Sequence, residues 1–112
     1  MKDCMFCRIV ARESPADIVY EDDTVVAFRD IYPKAPVHLL IVPRRHLPSV
    51  MAMEPEDAET IGRCVLAARK IGEATGFDAR GYRLRVNCGP EGGQVVYHVH
   101  VHFLAGGRGG GA

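Results

Sequence analysis

Read for its alternation of apolar and polar positions, the first half of the chain is strand-like. Ile18-Val19-Tyr20 and Thr24-Val25-Val26-Ala27-Phe28 flank the acidic corner Glu21-Asp22-Asp23. Two β-rich runs about a short polar turn predict a hairpin. Residues 37–42 form a third β-rich run, set off by Pro33 and Pro36 before it and by Pro43 after it. The period turns helical near Pro55, where proline suits the first helical position and Glu56 and Asp57 favour the positive end of the helix dipole. Ala58, Ile61, Val65 and Ala68 recur at helical spacing and predict one buried stripe, with Glu59, Arg63 and Lys70 elsewhere. Cys64 falls at the edge of that stripe and reads as a buried thiol. Gly76 predicts the stop. Two more strands are predicted over 81–87 and 97–104, joined through Gly89-Pro90-Glu91-Gly92-Gly93, a loop whose backbone can approach a ligand closely. The predicted class is α+β, an antiparallel sheet with one long helix.

Composition narrows the function. A chain of 112 residues, 47% apolar and 25% charged, suits one globular domain. That domain is expected over 1–105, followed by a flexible glycine-rich tail over 106–112. Lysine plus arginine equals aspartate plus glutamate at 14 each, which argues against a general nucleic-acid binder and leaves room for a small anionic ligand at one local site. Neither a signal-like N-terminus nor a run long enough to span a bilayer is expected, so the predicted location is the cytoplasm, with no membrane partner. The four cysteines are then expected to stay reduced.

His98-Val99-His100-Val101-His102 is the run that folding alone does not explain. On a strand, alternate side chains share a face. The three imidazoles are expected to line one side, with Tyr97, Val99, Val101 and Phe103 covering the core on the other. Two chemistries fit. The row is either a metal-binding face, imidazole being a common ligand, or a nucleophilic site. In the second case a neutral imidazole attacks phosphorus while its neighbours offset charge on the phosphoryl oxygens.

Cys4-Met5-Phe6-Cys7 has the spacing that lets two thiolates chelate one ion. It is poorly placed for a thioredoxin-type redox motif, having no βαβ unit around it. His46 and one member of the histidine row would complete a Cys2His2 set, and four protein ligands would make the metal structural.

These segments together resemble the histidine triad family, in its Hint-like, zinc-binding bacterial branch. The resemblance rests on the row itself and on Glu21-Asp22-Asp23, Ala27-Phe28-Arg29-Asp30-Ile31, Pro33-Lys34-Ala35-Pro36-Val37-His38, Ile41-Val42-Pro43-Arg44-Arg45-His46, Gly81-Tyr82-Arg83 and Gly92-Gly93-Gln94. It implies a homodimer, joined through sheet and helix, that hydrolyses purine nucleoside phosphoramidates through a nucleotidyl-histidine intermediate. His100 would be the nucleophile, and His102 would contact the phosphoryl group and assist at the leaving side. Asp30 would bind the ribose hydroxyls, Asn87 and Gln94 would contact nucleotide or phosphate, and Phe6, Phe28, Ile31 and Leu39 would wall the base pocket. Cys4, Cys7, His46 and His98 would hold a structural zinc, with His38 in a supporting position. The purine preference follows from the resemblance alone.

Two features depart from the family's pattern. Val95 stands where better-known members carry a serine beside the phosphate, and the chain lacks a tryptophan-bearing tail. These features favour one rival, a nucleotide-binding partner protein with vestigial turnover; the others are a dinucleoside polyphosphate hydrolase or nucleotidyl transferase, whose leaving group the histidine row does not encode, and a metalloenzyme ligating metal with all three histidines.

Overall fold

A computed structural model describes residues 3–107; residues 108–112, most of the expected flexible tail, lie outside the described residues. The core of the molecule is a five-stranded antiparallel sheet. Its strands are β1 (Ile18–Glu21), β2 (Val25–Arg29), β3 (Val37–Pro43), β4 (Arg83–Arg85) and β5 (Val101–Ala105), in spatial order β1-β2-β3-β5-β4. The helices are α1 (Met5–Val10), α2 (Ala58–Thr75) and α3 (Phe77–Arg80).

The predicted hairpin forms, and the acidic corner builds it. Asp22 Oδ1 accepts the backbone N–H groups of Thr24 and Val25, each at 2.8 Å, while Tyr20 donates its hydroxyl to Oδ2 at 2.6 Å. The same bond, with burial, pushes the Tyr20 phenol up to about 12.

Both faces of the sheet are covered, which is why β2 and β3 read as continuous apolar runs. On one face Val25, Ala27, Leu39, Ile41, Val101 and Phe103 pack on Cys64, Ala67, Ala68 and Ile71 of α2. On the other, Val26, Phe28, Leu40 and Val42 pack on Phe6 and Ile9 of α1. Cys64 is a buried thiol, as expected, and burial pushes it up to about 12.

The helix starts and stops as predicted in kind. Pro55 opens a 3₁₀ turn, Pro55–Asp57, that feeds α2, and Asp57 Oδ2 accepts the Glu54 backbone N–H at 2.9 Å. Gly76 ends α2 at φ +82°, a left-handed cap that a Cβ would strain. Which face is buried differs from the prediction. Cys64 lies at its centre, and Val65 is 46% exposed. The apolar positions of this helix fill more than one stripe, so the sheet decides which of them turns inward.

Two short helices were not foreseen: α1, which carries the cysteine pair, and α3, which continues from the Gly76 cap. β4 is three residues, not the expected 81–87, and β5 begins at Val101 instead of 97. Among the described residues no helix is long and apolar enough to cross a membrane.

Candidate active site and metal cluster

His98 and His100 precede the strand, and this corrects the picture of three histidines in one ladder. Val99 N–H bonds to the Leu47 carbonyl at 2.6 Å, drawing this segment against the one that follows β3. The alternation still holds locally. Val99, Val101 and Phe103 are buried, the last two against α2, but Tyr97 is 46% exposed and covers no core.

His98 is fully buried. Its Nε2 lies 2.8 Å from the Pro43 carbonyl, which accepts only, so Nε2 carries the proton and Nδ1 presents its lone pair. That Nδ1 lies 3.3 Å from Cys4 Sγ, 3.5 Å from Cys7 Sγ and 3.3 Å from His46 Nδ1, with Cys7 Sγ 3.4 Å from His46 Nδ1. The four expected ligands, Cys4, Cys7, His46 and His98, thus form a cluster that could hold a metal ion, their donor atoms all within 4.8 Å of one another.

The local sequence explains how they meet. Cys4 caps α1, its sulfur accepting the Cys7 N–H at 3.3 Å, so one turn of helix brings both sulfurs to one side. Beyond β3, Arg44 Nε donates to the Asp22 carbonyl at 2.8 Å and Arg45 pairs with buried Asp57, which fixes the segment leading to His46. Burial and the neighbouring Cys4 push the Cys7 thiol up to about 11. Two adjacent sulfurs would ionise together only around a cation.

His100 points its ring elsewhere. Its Nδ1 donates to the His98 carbonyl at 2.7 Å, which leaves Nε2 unprotonated in the neutral ring and free to attack. Phe6 packs edge-on against His100, with ring centres 5.1 Å apart, and against Phe28 at 5.3 Å. The apolar wall expected around the base therefore assembles from Phe6 and Phe28. Leu39 sits on the opposite face of the sheet, and Leu40, one residue on, takes its place beside Phe6. Ile31 is 79% exposed at the rim.

His102 belongs to a chain of hydrogen bonds that assigns every proton. The Lys34 backbone N–H donates to His38 Nδ1 at 3.0 Å, so neutral His38 is protonated on Nε2. That proton faces His102 Nδ1 at 2.9 Å, which leaves His102 with its own proton on Nε2. Asp30 Oδ2 stands 3.4 Å from His38 Nε2, while Asp30 Oδ1 accepts the Tyr32 N–H at 2.8 Å. A neutral acceptor at His100 and a neutral donor at His102 thus lie side by side, ring centres 4.9 Å apart.

The hydrogen bond of His38 to His102 is the main feature of the site that is not expected from the sequence, where His38 was given only a supporting position. Its signal was a lone polar residue within the apolar run of β3. Asp30, His38 and His102 form the other group of potential metal donors among the described residues. Neither group contains all three histidines of the row, so the geometry gives no support to a metal held by His98, His100 and His102 together.

Asn87 and Gln94 act on the glycine loop. Asn87 Nδ2 donates to the Gly92 carbonyl at 2.6 Å. Gln94 accepts from Gly89 N–H at 3.0 Å and donates to the carbonyls of Pro48 at 2.7 Å and Val96 at 3.1 Å, so both its amide protons are engaged within the protein. A Cβ on Gly92 would lie 2.2 Å from the Cys88 carbonyl oxygen, so the loop needs glycine there.

Burial holds these rings neutral. It lowers His38 below the usual imidazole value and takes His102 down to about 4, with His100 and Arg85 adding to the effect on His102 and Asp30 opposing it. In the unfolded chain these imidazoles protonate near pH 6.5, well above His102 in the fold. The unfolded state therefore binds more protons between these values, and stability is complete above about pH 6.5 and declines on acidification toward 4. In an NMR titration the His102 ring is expected to stay neutral to about pH 4. A ring that protonates near 6.5 would contradict the buried relay.

The HIT domain pattern matches residues 11–109 of this chain. Purine nucleoside phosphoramidase of Escherichia coli (strain K12) is 47% identical over 105 residues, covering 94% of this chain and 88% of the relative. A HIT family hydrolase of Clostridium thermocellum superposes with a TM-score of 0.95 at 42% identity, covering 100% of this chain and 97% of that one. A zinc-bound histidine triad family protein of Mycobacterium smegmatis superposes with a TM-score of 0.84 at 29% identity, covering 98% of this chain and 79% of that one. With this fold, this row of histidines and these relatives, the chain belongs to the HIT-domain, or histidine triad, family of hydrolases.

Proposed function

We propose that this protein hydrolyses purine nucleoside 5′-phosphoramidates through a covalent nucleotidyl-histidine on His100. The observation that carries the reading is the tautomer pair, an unprotonated Nε2 on His100 beside a protonated Nε2 on His102. The E. coli relative named for this activity supports the choice of substrate.

In the first step His100 Nε2 attacks the α-phosphorus and the phosphorus–nitrogen bond to the amine breaks. The amine leaves with the proton from His102 Nε2, and the positive charge that arises on the nucleotidyl ring of His100 balances the charge lost there, while the hydrogen bond from His38 Nε2–H to His102 Nδ1 holds His102 in that tautomer. In the second step water attacks the nucleotidyl-histidine, gives its proton to His102, and frees the nucleoside monophosphate and His100. Splitting one displacement in two lets a single imidazole serve as nucleophile and as leaving group.

Asp30 would accept the ribose hydroxyls, with Phe6, Phe28 and Leu40 against the base and Ile31 at the rim. Asn87 and Gln94 would hold the glycine loop against the nucleotide. We take the resident metal of the cysteine–histidine cluster to be structural zinc. A tetrahedral zinc with sulfur at about 2.3 Å and nitrogen at about 2.0–2.1 Å spaces its donors by roughly 3.3–3.8 Å. Four of the six donor separations here run from 3.3 to 3.5 Å, and all six lie within 4.8 Å. When bound, the ion would supply cross-linking charge, and the chain's own residues would do the chemistry. Cys4 and Cys7 would tie α1, and with it Phe6, to the segment bearing His100.

A homodimer and a cytoplasmic location complete the reading. Exposed Leu66 of α2 and Leu84 of the edge strand β4 offer apolar surface to a second copy. The expected experiment is turnover of adenosine 5′-phosphoramidate to AMP by the purified protein. Asp30→Asn is expected to raise KM by about tenfold to a hundredfold, the loss of a charge-assisted hydrogen bond, with a much smaller change in kcat. A folded parent that does not turn over the phosphoramidate would defeat the proposal and favour a nucleotide-binding protein, the reading to which exposed Val95 gives some weight.

A further inference from the structure

Behind the histidine face, between α2 and the β1 edge of the sheet, lies an open cavity of about 320 Å³. Val37 and Leu39 of β3 and Ile71 of α2 line it, with Val19 of the edge strand, 39% exposed, among its walls. The local sequence leaves the space open, because the last turn of α2 offers it only the short side chains of Ala74 and Thr75. This is the face opposite His100. Leu39 belongs to the layer that packs on α2, whereas Leu40 beside it belongs to the layer of Phe6 and Phe28. It is also the end of the sheet away from β4. Tyr82, which leads into β4, packs on α2 at Gly72, where a Cβ would meet its ring at 2.8 Å. Lys70 and Ala74 each stand two residues from Gly72, about 200° around the helix, and so face the other flank.

The polar groups on these walls are either engaged within the protein or cationic. The Tyr20 hydroxyl donates to Asp22 at 2.6 Å, and the Thr75 hydroxyl donates to the Ile71 carbonyl at 2.7 Å. Arg29 Nε pairs with Asp17 at 2.9 Å, outside the lining. Lys70 takes part in no ion pair among the described residues. Its charge is felt at Asp22, but that carboxylate is held by the Tyr20 hydroxyl and by the N–H groups of Thr24 and Val25. Among the described residues no carboxylate lines the cavity. A lysine stem can itself cover apolar surface, yet here an open volume remains beside it. Hydrocarbon walls with cations and no anion complement an apolar body that carries one negative head.

We propose that this cavity is a second binding site, for a small amphiphilic carboxylate whose alkyl chain lies on Val37, Leu39 and Ile71 and whose head pairs with Lys70 Nζ. The volume sets the size of the ligand. About 320 Å³ falls at the lower end of the range for small-ligand sites, so a medium-length chain fits and a long one projects into solvent. The charge sets its head. Lys70 supplies one compact cation for one anion, and Arg29, tied to Asp17, adds positive field to the same wall. The ligand is bound without chemical change, and it never meets His100, which lies across the sheet.

The test titrates octanoate, octanol and octylamine into the full chain by calorimetry. The parent is expected to bind octanoate about tenfold more tightly than octanol, and octylamine least. From hexanoate to octanoate the affinity is expected to rise by about fourfold per added methylene, and then to level off as the chain outgrows the cavity. Lys70→Ala is expected to weaken octanoate by about tenfold and to leave octanol within about twofold, while Lys70→Arg keeps most of the octanoate affinity. Ala74→Leu, which fills the cavity from an exposed position of α2, is expected to weaken both by about tenfold or more. Arg69→Ala, whose guanidinium pairs with Glu73, is expected to change neither. Saturating AMP is expected not to displace octanoate. Unfolding midpoints within a few degrees of the parent establish that the variants fold.

Failure of the parent to bind octanoate, or binding indifferent to Lys70 and Ala74, overturns the site. So does an affinity that keeps rising with chain length, which would mean a diffuse apolar surface. Displacement of octanoate by AMP also overturns it, placing the ligand on the wall of Phe6 and Phe28 instead. A changed oligomeric state in Ala74→Leu, with octanoate affinity unaltered in Lys70→Ala, overturns it as well and marks the cavity as a contact between copies.

Discussion

Replacing His100 with alanine is expected to bring hydrolysis of adenosine 5′-phosphoramidate down by on the order of 10⁴-fold or more, to a level indistinguishable from background. The size follows from what the side chain would do. It supplies both the attacking lone pair and the bond that water later breaks, so its loss removes a route instead of weakening a contact. No other ring can take its place. His98 directs its free nitrogen to the cysteines, and His102 keeps Nδ1 on His38 and its proton on Nε2. The variant is expected to bind AMP within a few-fold of the parent, because Phe6, Phe28 and Asp30 are untouched. Steady-state turnover with AMP titration checks both halves. Residual activity within about a hundredfold of the parent would mean that water attacks directly and that His100 only positions the phosphate.

If the cysteine–histidine cluster holds the proposed zinc, Cys7→Ser is expected to release it and lower the thermal midpoint by about 15 °C. The cluster joins parts of the chain far apart in sequence: α1, the segment after β3, and the segment before β5. Losing one ligand of a structural ion costs about 2–4 kcal/mol, and in a domain of this size each kcal/mol moves the midpoint by roughly 4–8 °C. The damage would reach the reaction centre through Phe6, which lies one residue before Cys7 and packs on both His98 and His100. Elemental analysis and thermal unfolding, each with and without a chelator, provide the check. A chelator is expected to lower the midpoint of the parent and to leave Cys7→Ser unchanged. A metal-free parent as stable as the loaded one would mean that the four side chains pack without an ion.

Where the sequence reading succeeded, one local rule decided the outcome. The β1–β2 turn formed because Asp22 can accept the two backbone donors that follow it, and α2 stopped at Gly76 because that residue tolerates a positive φ. The cysteine–histidine cluster was legible from C-x-x-C spacing together with the resemblance that singled out His46 and His98. Where the reading failed, distant contacts outvoted local pattern. Alternation in 97–104 predicts an unbroken strand, yet Val99 bonds to Leu47, across the loop after β3, so His98 and His100 leave the ladder before it begins. That departure lets His98 and His100 aim their ring nitrogens at different partners. In α2 the apolar positions allowed more than one buried stripe, and the sheet selected Cys64, Ala67, Ala68 and Ile71. The shift from Leu39 to Leu40 is of the same kind, since period two assigns alternate residues to opposite faces and only the sheet's surroundings name which face is which. The contact of His38 was hidden because its acceptor, His102 Nδ1, lies 64 residues further along the chain.

The covalent intermediate is tested most directly by the stereochemical course at phosphorus. A sulfur-substituted, chiral adenosine 5′-phosphoramidate is hydrolysed in ¹⁸O-enriched water, and the configuration of the thiophosphate product is determined. Two in-line displacements, by His100 and then by water, predict overall retention. Inversion would establish a single direct attack by water and would contradict His100 as the nucleophile.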